Sequence, residues 1–86
     1  MAEYLVELYV SRSDVAALTL GPERAQQAAE QLTQEGTPVR FLRSIFLPED
    51  ETCLFLYEAG SAAAVRDAVG RAALSCERVV EAVAGR

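Results

Sequence analysis

The chain has 86 residues, 51% of them hydrophobic and 24% charged, with a net charge of −5. This is the composition of one small globular domain and not of a disordered segment. The acidic balance disfavours nucleic acid, whose binders present a basic face, and no apolar run approaches the roughly 18 residues that span a membrane.

Residues 3–10 alternate and are rich in Val, Leu and Tyr, which predicts a strand. Residues 11–20 read as a loop. The stretch "GPERAQQAAEQLTQEG" predicts a helix, with Pro22 at its first position, Glu23 at the positive end of the dipole and Gly36 as its stop. Its apolar stripe is Ala25, Ala28, Ala29 and Leu32. Residues 39–47 form a second predicted strand, "PEDE" a turn, and residues 52–58 a third strand. Ser61 caps a second helix, whose stripe Val65, Ala68, Val69 and Ala72 repeats the spacing of the first. Residues 76–83 read as a fourth strand.

The order is βαββαβ. Two interleaved right-handed βαβ units place four antiparallel strands in the order 4-1-3-2, with both helices on one face. This is the α+β, ferredoxin-like fold, as one domain over residues 1–86. The first strand is central, so Glu7 falls in the middle of the sheet.

Side chains alternate across a sheet. Val6 and Leu8 are expected under the helices, with Leu5, Glu7 and Tyr9 on the helix-free face. If Leu47 opposes Thr52 across the acidic turn, Phe46 opposes Cys53, Ser44 opposes Phe55 and Leu42 opposes Tyr57. Phe41, Ile45, Leu54 and Leu56 suit the helices, and Arg43 falls on their side. Arg40, Leu42, Ser44, Phe46, Cys53, Phe55 and Tyr57 are then expected on the helix-free face, together with Glu77, Val79, Glu81 and Val83. An apolar face of roughly 400 Å² usually marks an interaction site. The expected cover is a second copy, sheet against sheet, as in a dimeric α/β barrel.

A domain this small buries only about 60–65% of the surface of its unfolded chain, so a second subunit would add stability. No secretion signal is visible, and the cytoplasm is the expected compartment. All eight basic residues are arginine, with Lys and Asn absent. That usage fits a GC-rich bacterial genome. Cys53 and Cys76 fall on strands separated by the first, about 9.6 Å apart. A disulfide needs Cα atoms within about 7 Å, so both thiols are expected to be free.

Four stretches carry a family resemblance: "YLVELYV", "FLRSIFLPEDETCLFLYEA", "AAVRDAV" and "ERVVEAV". Through them the chain resembles a family of small bacterial proteins, long labelled a domain of unknown function, that includes a nickel-binding protein. The hairpin block is the most specific of the four. The resemblance spans essentially the whole chain and implies the ferredoxin-like fold, a homodimer and a divalent metal such as nickel. Nickel favours imidazole among its ligands. The chain has no histidine, so a metal site here would draw on Glu, Asp, Cys or backbone groups.

The candidate site residues follow from the helix-free face. Glu7 reads as a paired structural carboxylate, as a general acid/base or metal ligand in a chamber between subunits, or as a solvated group. Tyr9 and Tyr57 read as packing residues or as its catalytic neighbours. Arg40, Ser44 and Phe55 are candidate ligand contacts. Cys53 reads as a small apolar core residue or as a second metal ligand. Two functions are consistent with this set. One is a ligand- or metal-binding homodimer. The other is a cofactor-free enzyme, such as an isomerase, cyclase or monooxygenase of a small molecule, by fold analogy. Aromatics on central strands also suit an RNA-binding module, against which the charge argues.

Overall fold

In a computed structural model, which describes residues 1–83, the chain forms six elements. They are β1 (Ala2–Tyr9), α1 (Val15–Gln34), β2 (Val39–Leu47), β3 (Thr52–Ala59), α2 (Ala62–Arg71) and β4 (Cys76–Ala82). The sheet order is β2-β3-β1-β4, the expected order read from the other edge. All neighbouring strands are antiparallel. The molecule measures 37 × 31 × 18 Å, thin enough for one sheet layer and one helix layer.

α1 begins earlier than the sequence pattern suggests. Residues 15–20 are helical and not loop, and Pro22 lies inside the helix. Asp14 is the true N-cap, its carboxylate accepting from the Ala17 N–H at 3.1 Å. A proline costs a helix its bond to the carbonyl four residues back. Here that carbonyl belongs to Leu18, in the first two turns, where the loss is tolerated. α2 starts as expected, with Ser61 Oγ accepting from the Ala64 N–H at 3.2 Å.

Both helices end in the same motif. After α1, Gly36 has φ 103°. Its N–H donates to the Thr33 carbonyl, and the Thr37 N–H donates to Leu32. After α2, Ala73 and Leu74 make the matching bonds to Gly70 and Val69. Ala73 takes φ 57°, a left-handed position that costs an L-residue about 1–2 kcal/mol. Ala73→Gly is therefore expected to stabilise the chain by about 1 kcal/mol, read as a higher midpoint in urea with an unchanged slope.

The core lies between helices and sheet. The helices present small residues: Ala25, Ala28 and Ala29 from α1, and Ala64, Ala68 and Ala72 from α2, all buried. The sheet supplies the bulk through Tyr4, Phe55 and Tyr57, also buried. Phe41 packs edge-on against both Phe55 and Tyr57, with ring centroids 5.2 and 5.4 Å away. Gly21 lets α1 approach closely, since a Cβ there would lie 3.4 Å from the Phe55 ring. Arg71 ties the helix ends together, 2.7 Å from Glu35 and 3.4 Å from Asp67.

This packing corrects the expected faces of three strands. In β1, Val6 opposes Phe55, Leu8 opposes Cys53 and Tyr4 opposes Tyr57. Cys53, Phe55 and Tyr57 therefore lie under the helices and not on the open face. Ser44 and Phe46 share their side as partners of Phe55 and Cys53. A register shift between Phe41 and Arg43 puts Phe41, and not Leu42, opposite Tyr57. Ile45, Leu54 and Leu56 move to the helix-free face, and so does Arg43. In β4, Val79 opposes Val6 and Glu81 opposes Tyr4, so both belong to the helix side. Glu77 falls at a second register shift, between the partners of Glu7 and Leu8. Val83 lies just beyond β4.

Candidate functional site: the helix-free sheet face

The registers fix the face row by row, from β2 to β4. The first row is Arg40, Glu58, Glu3 and Ala82. The second is Arg43, Leu56, Leu5 and Val80. The third is Ile45, Leu54, Glu7 and Arg78. The fourth is Leu47, Thr52 and Tyr9. An aliphatic centre of Leu5, Leu54, Leu56, Ile45 and Val80 is thus framed by charged side chains. On the edge strand β2, Ile45 is 42% exposed and Leu47 39%, which leaves large aliphatic side chains open to solvent on this face.

The charges on this face balance. Glu3, Glu7 and Glu58 are matched by Arg40, Arg43 and Arg78. Summed over these paired rows the charge is zero, so the net charge of −5 lies outside them. Two cross-strand pairs are formed: Arg40 to Glu58 at 3.4 Å and Arg78 to Glu7 at 3.7 Å. Both partners of the Glu7 pair are solvated, 37% exposed at Glu7 and 64% at Arg78. Such a pair contributes about 0–1 kcal/mol to an isolated subunit. Glu7 is thus a paired surface carboxylate, held on the open face by β1 and answered by the neighbouring β4.

The sequence candidates separate. Glu7, Tyr9 and Arg40 lie on the helix-free face as expected. Tyr57, Phe55 and Cys53 lie beneath the helices, and Ser44 is exposed at the β2 edge on that same side. Glu7, Tyr9 and Tyr57 are consequently not brought together within one subunit. Arg78, Arg43, Leu54 and Leu56 were missed as site residues. Leu54 and Leu56 are placed by the β1–β3 register, Arg43 by the β2–β3 pairing and Arg78 by the β1–β4 pairing.

Tyr57 has an environment of its own. The residue is fully buried, and its hydroxyl has no hydrogen-bond partner among the described residues. Burial pushes its phenol well above the ordinary tyrosine range, and the Cys76 thiolate opposes its ionisation further. An unpartnered buried hydroxyl costs about 1–3 kcal/mol. Tyr57→Phe should therefore be neutral or stabilising, by up to about 1 kcal/mol. The raised pKa also sets a pH dependence. Tyrosine in the unfolded chain ionises near the ordinary value of 10.0, while the folded phenol resists it. The associated stability is full below that pH and is lost as pH rises above it. Alkaline thermal melts should show this loss, reduced in Tyr57→Phe.

The cysteines are free. They flank Leu8 in one row, on β3 and β4. Burial raises the Cys53 thiol pKa, which disfavours the thiolate that binds metal. Among the described residues, no group of three Cys, Asp or Glu side chains is placed to hold a metal ion. A groove of about 510 Å³ runs between α1 and β2, past Glu30, Thr33 and Phe41. Of the sequence candidates it takes in only Arg40. No described helix is long and apolar enough to cross a membrane.

Fold and face define a ferredoxin-like domain with an open, charge-balanced sheet surface. The chain belongs to the nickel responsive protein SCO4226-like family, whose model matches residues 9–82. The crystal structure of SCO4226 from Streptomyces coelicolor A3(2) is similar in fold, with a TM-score of 0.67 and 19% identity over 99% of this chain and 100% of that one. No curated protein matches the chain.

Proposed function

We propose that this protein works as a homodimeric binding protein of the reducing cytoplasm, its two copies closing their helix-free faces on each other. The observation that carries this reading is the neutral aliphatic face on a chain of charge −5. Two copies of an acidic protein repel, and the repulsion is least where each presents as many arginines as glutamates. A two-fold contact also asks one surface to complement itself. Mixed glutamates and arginines around an aliphatic centre satisfy that. Four strands of about 26 Å at 4.8 Å spacing give roughly 500 Å² per copy. Both copies together reach the lower bound for a specific interface, about 1,000 Å². The two unbridged cysteines are consistent with a reducing compartment.

A small ligand would sit between the sheets, with the Leu5, Leu54 and Leu56 side chains as its floor. Glu7, Tyr9 and Arg43 are the polar groups able to orient it. The assembly is tested by melting the protein over a range of concentrations. A dimer that is stabilised by association melts at higher temperature as concentration rises. A melting temperature independent of concentration, with no association seen, would contradict the reading.

A further inference from the structure

We infer that this chain, although a member of a nickel responsive family, holds no nickel in a specific site of its own, because it has no histidine and two of the three carboxylates on its helix-free face are already paired with arginines. The donor chemistry carries this. The full sequence has no histidine, and Ni²⁺ in proteins favours imidazole nitrogen or thiolate. Glu7, the carboxylate at the centre of the sheet, has the Arg78 guanidinium 3.7 Å away. Glu58 has Arg40 at 3.4 Å. A metal ion entering beside either carboxylate must displace a covalently tethered cation, and it meets the repulsion of that cation if it does not. Glu3 is left with no ion pair among the described residues, and its row holds only Glu58 as a further carboxylate. The thiols offer no substitute. Cys53 is buried with its pKa raised. Cys76, opposite Leu8, belongs to the helix-side row and not to that of Glu7. Two-fold pairing of the faces adds a second set of the same carboxylates and, with them, the same arginines.

The test is equilibrium dialysis of untagged, chelator-stripped protein against micromolar NiCl₂, with elemental analysis of the retained metal. The inference expects fewer than about one nickel per ten chains, and no rise in melting temperature on adding NiCl₂. One nickel per chain, or one per pair of chains, would overturn it. Light scattering on the same samples separates this inference from the proposed dimer on which its last step draws. A nickel-loaded dimer sinks the inference and leaves the dimer. A nickel-free monomer supports the inference and sinks the dimer.

Discussion

Leu56→Asp should yield a folded monomer. Leu56 lies on a central strand of the helix-free face, between Arg43 and Leu5. It is half-buried in the single subunit, so an aspartate there remains in contact with water and the fold survives. In the proposed dimer the same carboxylate would be pressed into the aliphatic centre. An unpaired charge in such a place costs about 3–5 kcal/mol, and two-fold symmetry introduces it twice. The dissociation constant should rise more than about a hundredfold. Size exclusion should show later elution than wild type, with a preserved far-UV circular dichroism spectrum. A variant that still elutes with wild type would remove the helix-free face as the interface.

Phe55→Asp, one residue away, should fail in the opposite manner and give no folded protein. Phe55 is 3% exposed, lies under α1 at Gly21 and packs edge-on against Phe41. Removing a core phenylalanine costs about 3–5 kcal/mol. A carboxylate left there unpaired costs a similar amount again. Domains of this kind have about 5–15 kcal/mol in total, and one this small lies toward the lower end. Circular dichroism should show an unfolded chain at room temperature. Phe55→Leu keeps the fold and lowers the melting temperature. A well-folded Phe55→Asp would mean that the β3 faces are assigned the wrong way round.

The contrast between these neighbours also shows where the sequence was legible. Element order, strand order and both helix stripes were readable, because their apolar spacing was unambiguous. Glu7 was readable too: in β1 only one face, that of Val6 and Leu8, is consistently apolar. β3 was not readable by alternation. Cys53, Phe55 and Tyr57 on one side compete with Leu54 and Leu56 on the other, and both sets are apolar. In β4 the same ambiguity lies in the adjacent pair Val79 and Val80.

The deciding information was volume. Helices lined with alanine leave a deep space over the sheet, and close packing requires large side chains to fill it. Phe55 and Tyr57 meet that need, and the leucines are left for the open face. The start of α1 was hidden for a different reason. Pro22 suggested a first helical position, although Asp14 before Val15 is itself a capping signal. The partner of Glu7 was hidden by the same ambiguity in β4: Arg78 alternates onto the helix-free face with Val80 and Ala82, the face expected to carry Val79.

Multi-angle light scattering of the wild-type chain at micromolar concentration tests the central claim most directly. The predicted mass is about twice the 9.3 kDa of one chain, falling to a single chain in Leu56→Asp. A wild-type mass of 9.3 kDa across that range would contradict the claim that two helix-free faces close on each other.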